Sequence, residues 1–118
     1  MAIVTNDWTG KITGSVFTTA SSDAIKPPTG HVFVAITALT DTDFDSDTGL
    51  IADDATVWAN AVSAANDAAD GSETASLGSG GVKITQTNFD LKSGITIYGR
   101  YTEIDVNAGQ IIAYIGKA

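Results

Sequence analysis

Nucleophilic catalysis needs a Ser, Thr, Cys or Lys beside a positioned base. The 118-residue chain offers one histidine, His31, and no cysteine. His31 opens the most apolar stretch of the sequence, where a structural histidine fits better than a general base. No Gly-x-Ser-x-Gly elbow and no phosphate-binding glycine loop ending in Lys-Ser/Thr is present. Gly78-Ser79-Gly80-Gly81 leads into a strand-like segment, so it has no helix N-terminus with which to hold phosphate. Paired carboxylates are plentiful among 14 acids, but a chain of this size and loop content builds a substrate cleft with difficulty. The residue types therefore argue against an enzyme, and no cofactor is expected.

Two other constellations carry chemistry. Asp41, Asp43, Asp45 and Asp47 alternate along the chain, and alternate carboxylates can converge on a hard cation such as calcium. Counted from Asp43, the spacing resembles an EF-hand loop, with Asp45, Asp47 and finally Asp54 as ligands and Leu50 at the apolar position. Thr48 stands where the sharp turn wants Gly, Asp54 replaces the bidentate Glu, and a strand-like segment precedes the loop. A solvated acidic loop is thus the favoured reading, with calcium on Asp43, Asp45, Asp47 and Asp54 as its alternative. The second constellation is Arg100, the only arginine, between Tyr98 and Tyr101. Arg and Tyr are enriched at binding hot spots, and a surface ion pair with Glu103 or Asp105 is the plainer reading.

Composition narrows the class. Net charge is −8, and the six basic residues are scattered, so no cluster could neutralise phosphates and nucleic-acid binding is not expected. Anionic lipid would be repelled in the same way. No segment approaches membrane-spanning length, and Met1–Gly10 lacks the pattern of a signal peptide. Hydrophobic residues at 43% and 12 glycines describe a globular chain of short elements. One domain, 1–118, is expected.

The elements that would position these residues are mostly strands. Met1–Gly10 reads as an N-terminal arm, with Ile3, Val4 and Trp8 as contacts to the chain's own domain or to a neighbour. Lys11–Thr19 reads as a short strand and Ala20–Gly30 as a loop. His31–Thr40 is the clearest strand, with Val32, Val34, Ile36 and Ala38 on one side and His31, Phe33, Ala35, Thr37 and Leu39 on the other. Both sides are mostly apolar, which places it inside a sandwich or an interface. Ala55, Trp58, Val62, Ala65 and Ala69 recur at helical spacing, which predicts one short helical insertion within 53–71. Val82–Thr87 alternates like a strand. Ile95–Val106, the turn Asn107-Ala108-Gly109 and Ile111–Ile115 read as a C-terminal hairpin. The expected fold is mainly β, a small antiparallel sandwich or jelly-roll-like domain.

Two segments carry a family resemblance. His31–Phe44 contains Phe33-Val34-Ala35-Ile36, Leu39, Asp41-Thr42 and Phe44. Phe89–Thr102 contains Gly94, Thr96-Ile97-Tyr98-Gly99-Arg100 and Thr102, and is followed by Gly109 and Ile112-Ala113-Tyr114. This arrangement resembles short virion proteins of tailed bacteriophages, over roughly half of the chain. The resemblance implies a β-domain on the capsid surface of the virion, a decoration (cement) protein that binds the major capsid protein and stabilises the shell. It also implies a homotrimer. On that reading Ile3, Val4, Trp8, Tyr98, Arg100 and Tyr101 are the interface residues. Alternatives are a head-fibre base, neck or tail component, or a calcium-dependent binding module. The stretch Gly49–Gly81 is longer than the pattern requires.

Overall fold

A computed structural model describes residues 12–20, 23–46, 49–53, 63–64, 84 and 86–118. Eight strands form in chain order: β1 Ile12–Thr19, β2 His31–Ala38, β3 Asp43–Phe44, β4 Leu50–Ala52, β5 Ser63–Ala64, β6 Thr96–Ile104, β7 Val106–Ala108 and β8 Gln110–Lys117. The main sheet has the order β1-β8-β2-β6-β4-β5, and β3 pairs with β7 in a separate two-stranded ribbon. All pairings are antiparallel except β4 with β5. The fold is mainly β, as the composition predicts, with the strands divided six and two. Among the described residues there is no helix. Ser63–Ala64 is strand, so a helix unbroken across 53–71 does not form; most of that range, like the arm 1–10, lies outside the described residues.

β2 holds the centre because it can satisfy a ladder on both edges with apolar side chains on both faces. It pairs with β8 on one edge and β6 on the other. The expected hairpin between the last two long strands is therefore not what forms: β2 lies between them. The reason is the turn. Instead of reversing the chain directly, residues 106–108 leave the main sheet to pair with β3, and Gly109 (φ +106°) then swings the chain into β8. A Cβ at Gly109 would stand 2.4 Å from Thr42 Oγ1 and 2.5 Å from the Asp41 carbonyl, so this corner needs glycine on both counts. The fully buried Thr42 locks it, donating from Oγ1 to the Thr40 carbonyl (2.8 Å), while its backbone exchanges two hydrogen bonds with Leu91.

The alternation expected for β2 is interrupted. Between Phe33 and Ala35 the register with β8 moves by only one residue, from Ile115 to Tyr114, and with β6 by three, from Tyr101 to Tyr98. Val34 is thus an extra residue relative to β8, and such a bulge switches the side-chain parity that follows it. Phe33 accordingly joins Ile36 and Ala38 in the core, where strict alternation put it on the opposite side. The core lies on this inner face of the main sheet, with Tyr101, Ile104, Ile111 and Ala113. It is covered by Phe44 and Val106 of the ribbon and by Ile84 and Leu91. Each large apolar side chain buried here contributes about 1.5–3 kcal/mol. Within Val82–Thr87, Ile84 is buried, but Gln86 and Thr87 belong to a turn, so the alternation does not extend a strand that far.

Candidate functional site

The opposite, outer face of the main sheet is built by the same ladders. Partner registers place Phe17, Ile112, Thr37 and Thr96 in one row across β1, β8, β2 and β6. Ser15, Tyr114, Ala35 and Tyr98 form the next row. None of these eight residues is charged, in a chain of net charge −8. Phe17 is 55% exposed and Tyr98 61%. Leu39 and Ile95, the other exposed large apolar residues among those described, lie at the ends of β2 and β6, beyond the Phe17 row.

Tyr98 and Tyr114 flank a slot of about 210 Å³ lined also by Ala35, Thr37 and Thr96. The small side chains of Ala35 and Thr37 leave room between the rings. Thr37 Oγ1 and Thr96 Oγ1 share a hydrogen bond of 2.7 Å across β2 and β6. Aromatic rings standing over a neutral hydroxyl pair can desolvate cheaply and pack against a partner. The residues lining the slot include no histidine, thiol or charged side chain.

The structure separates the residues singled out from sequence. Tyr98 belongs to the outer face. Tyr101 does not: it is fully buried in the core, and desolvation pushes its phenol up to about 12. Its hydroxyl donates to the Tyr98 carbonyl at 3.4 Å, and its ring lies over Gly99, where a Cβ would come within 2.7 Å. Tyr101 is therefore a core residue and not a contact residue. The register separates the two: Tyr98 lies opposite Ala35 and Tyr101 opposite Phe33, with a register shift between those pairs, so grouping Tyr98 with Tyr101 overlooked a change of face that only strand pairing reveals. Arg100 donates from Nε (3.1 Å) and Nη2 (2.8 Å) to one carboxylate oxygen of Asp53, while the Asp53 N–H donates to the Arg100 carbonyl (2.8 Å). It pins the end of β4 to β6; Glu103 pairs instead with Lys26 at 3.4 Å. Ile3, Val4 and Trp8 lie outside the described residues.

The alternating aspartates are divided among different neighbours. Asp41 pairs with Lys92 at 3.7 Å and accepts from the Ser93 N–H at 2.9 Å. Asp43 accepts from Asn107 Nδ2 at 2.8 Å. Asp47 and Asp54 lie outside the described residues, and no group of three or more metal-ligating side chains occurs among the described ones. His31 is half-buried, and its Nδ1 donates to the Thr29 carbonyl at 3.0 Å. Reasoning from sequence missed Phe17, Ile112 and Tyr114 as members of one surface. Alternation within each strand was visible, but the rows that join them depend on the register between strands. No protein-family model, no curated protein and no solved structure matches the chain.

Proposed function

We propose that the chain is a structural protein of a bacteriophage particle, a decoration protein that docks on the assembled capsid through the outer face of its main sheet. The observation that carries this reading is the uncharged double row holding Phe17, Tyr98 and Tyr114 on a chain of net charge −8. Exposed aromatic surface of this kind marks a contact region more often than a solvated one. The acidic remainder suits the outside of a shell better than contact with packaged nucleic acid. The resemblance of His31–Phe44 and Phe89–Tyr114 to short virion proteins supports the same assignment. The mechanism is linkage: a protein that binds the assembled lattice and not its loose subunits stabilises the lattice by mass action. No bond is made or broken, so the reading is non-enzymatic.

Co-sedimentation with capsids that lack the protein tests this directly. Tyr98→Ala is expected to weaken binding at least about 10-fold, and Tyr98→Ala with Tyr114→Ala to abolish it, while both variants keep the wild-type circular dichroism. Undiminished binding by the folded double variant would remove this face from the contact. Copy number separates decoration from the neck or tail alternative, hundreds per particle against a few.

A further inference from the structure

β1 ends the main sheet on one side. One edge pairs with β8, and no described residue pairs with the other. The direction of its backbone groups follows from the neighbouring hydrogen bonds. The Ala20 N–H donates to the Gly109 carbonyl at 3.2 Å. Steps of two from there turn Thr18, Val16 and Gly14 toward β8, opposite Ile111, Ala113 and Ile115. The Leu39 N–H donates to the Gln110 carbonyl at 2.9 Å, so Gln110, Ile112 and Tyr114 direct their backbone groups to β2. Ser15 and Phe17, opposite Tyr114 and Ile112, therefore send their N–H and C=O groups outward.

Sheet edges are ordinarily guarded by lysine, proline, an inward charge or a bulge. From Ile12 to Ala20 the sequence has neither charge nor proline, and the one register irregularity lies between Ile12 and Gly14, away from Ser15–Phe17. A partner must tolerate a chain of net charge −8. Along this strand it meets no carboxylate, so a second copy of the same chain can approach here without like-charge contact.

We infer that β1 is a self-association edge at which two copies pair antiparallel about a two-fold axis through Val16. In this register Ser15 of each copy lies opposite Phe17 of the other, and the outward backbone groups of these residues close four hydrogen bonds. The small Ser15 side chain leaves room for the facing Phe17 ring on the outer face. The two Phe17 residues become diagonal neighbours, about 7–8 Å apart and within reach of each other. Val16 opposes Val16 on the inner side. The contact requires no capsid, so it stands or falls independently of the docking proposed above. If both hold, the dimer presents two uncharged faces side by side and docks bivalently.

The absence of cysteine supplies a clean test. Val16→Cys places one thiol per chain at the axis, with Cα atoms about 4.5 Å apart across a non-hydrogen-bonded pair. That lies inside the span a disulfide bridges. Thr13→Cys is the control, since its two copies would stand about 20 Å apart. Mild oxidation of the full-length variants is expected to convert most of Val16→Cys, and almost none of Thr13→Cys, to a dimer at twice 12.1 kDa on a non-reducing gel. Phe17→Lys is expected to lower the mass by light scattering from the dimer to 12.1 kDa with unchanged circular dichroism. Equal cross-linking of the two cysteine variants would overturn the register. A wild-type mass of 12.1 kDa up to millimolar concentration would overturn the association itself.

Discussion

Tyr98 and Tyr101 sit three residues apart on one strand and have opposite fates. Tyr101 points inward, is sealed from solvent and covers Gly99; Tyr98 points outward and is 61% exposed. The same contrast runs across the whole sheet. The inner face is filled by Phe33, Ile36, Ile104 and Ile111 under the β3–β7 ribbon, whereas the outer face carries Phe17, Ile112, Tyr114 and Tyr98 without a described second layer. Both faces are apolar enough to be buried, and only one has its cover inside the described domain. The lesson is that apolar alternation reports which residues share a face, while the purpose of that face depends on what packs against it. An inner aromatic is a stability residue, and on the proposed reading an outer one is a contact residue.

The sharpest way to break this contrast is to truncate both tyrosines. Tyr101→Ala is expected to cost about 3–5 kcal/mol, because it leaves a cavity in a closed core. Tyr98→Ala should change stability by no more than about 0.5 kcal/mol and act on binding alone. Urea titration of the two variants checks this, and comparable losses would mean that Tyr98 also carries packing.

A smaller effect is expected at the position that lets Tyr101 lie down. Gly99→Ala puts a Cβ within 2.7 Å of the fully buried Tyr101 ring. Overpacking of this kind should cost about 1–3 kcal/mol, and Tyr101→Leu in the same chain should recover part of it. Additive losses in that double-mutant cycle would show that the two sites do not communicate.

The third effect appears only in alkali. Burial holds the Tyr101 phenol at about 12, above its ordinary value of 10.0. The unfolded chain releases this proton first, so the contribution is complete below about pH 10 and is lost as pH rises through about 12. It amounts to at most about 2–3 kcal/mol. Tyr101→Phe keeps the ring and removes the titration. Its melting temperature should therefore fall less steeply than that of the wild type between pH 10 and 12. Parallel curves would place the alkaline transition on another group.

Arg100 shows why a residue type alone does not name a surface. Flanked by tyrosines, it reads as an interface anchor. In the fold its Nε and Nη2 donate to Asp53, and a partly exposed pair of this kind is worth about 1 kcal/mol. Nothing local to Arg100 signals that choice, since Glu103 and Asp105 are nearer along the chain and Asp53 is brought in only by the pairing of β4 with β6.

Much was nevertheless written locally. β-Branched and aromatic residues in short runs between glycines determine a mainly β chain, because the pleat accommodates them and turns require the intervening residues. The two-sided apolar character of His31–Ala38 determines its central place, because only a strand flanked on both edges and covered on one face can use it. Gly109 marks a corner that no side chain fits. What the tertiary structure alone decided is the partner of each strand. A period of two is unchanged when a strand is moved to another neighbour, and it inverts at a bulge that no residue in Phe33-Val34-Ala35 announces. The insertion of β2 between β6 and β8, the core position of Phe33 and the alignment of Phe17, Ile112, Tyr114 and Tyr98 into one surface all rest on hydrogen bonds between residues distant in sequence. Those bonds are chosen by the fit of the whole core and not by any segment alone.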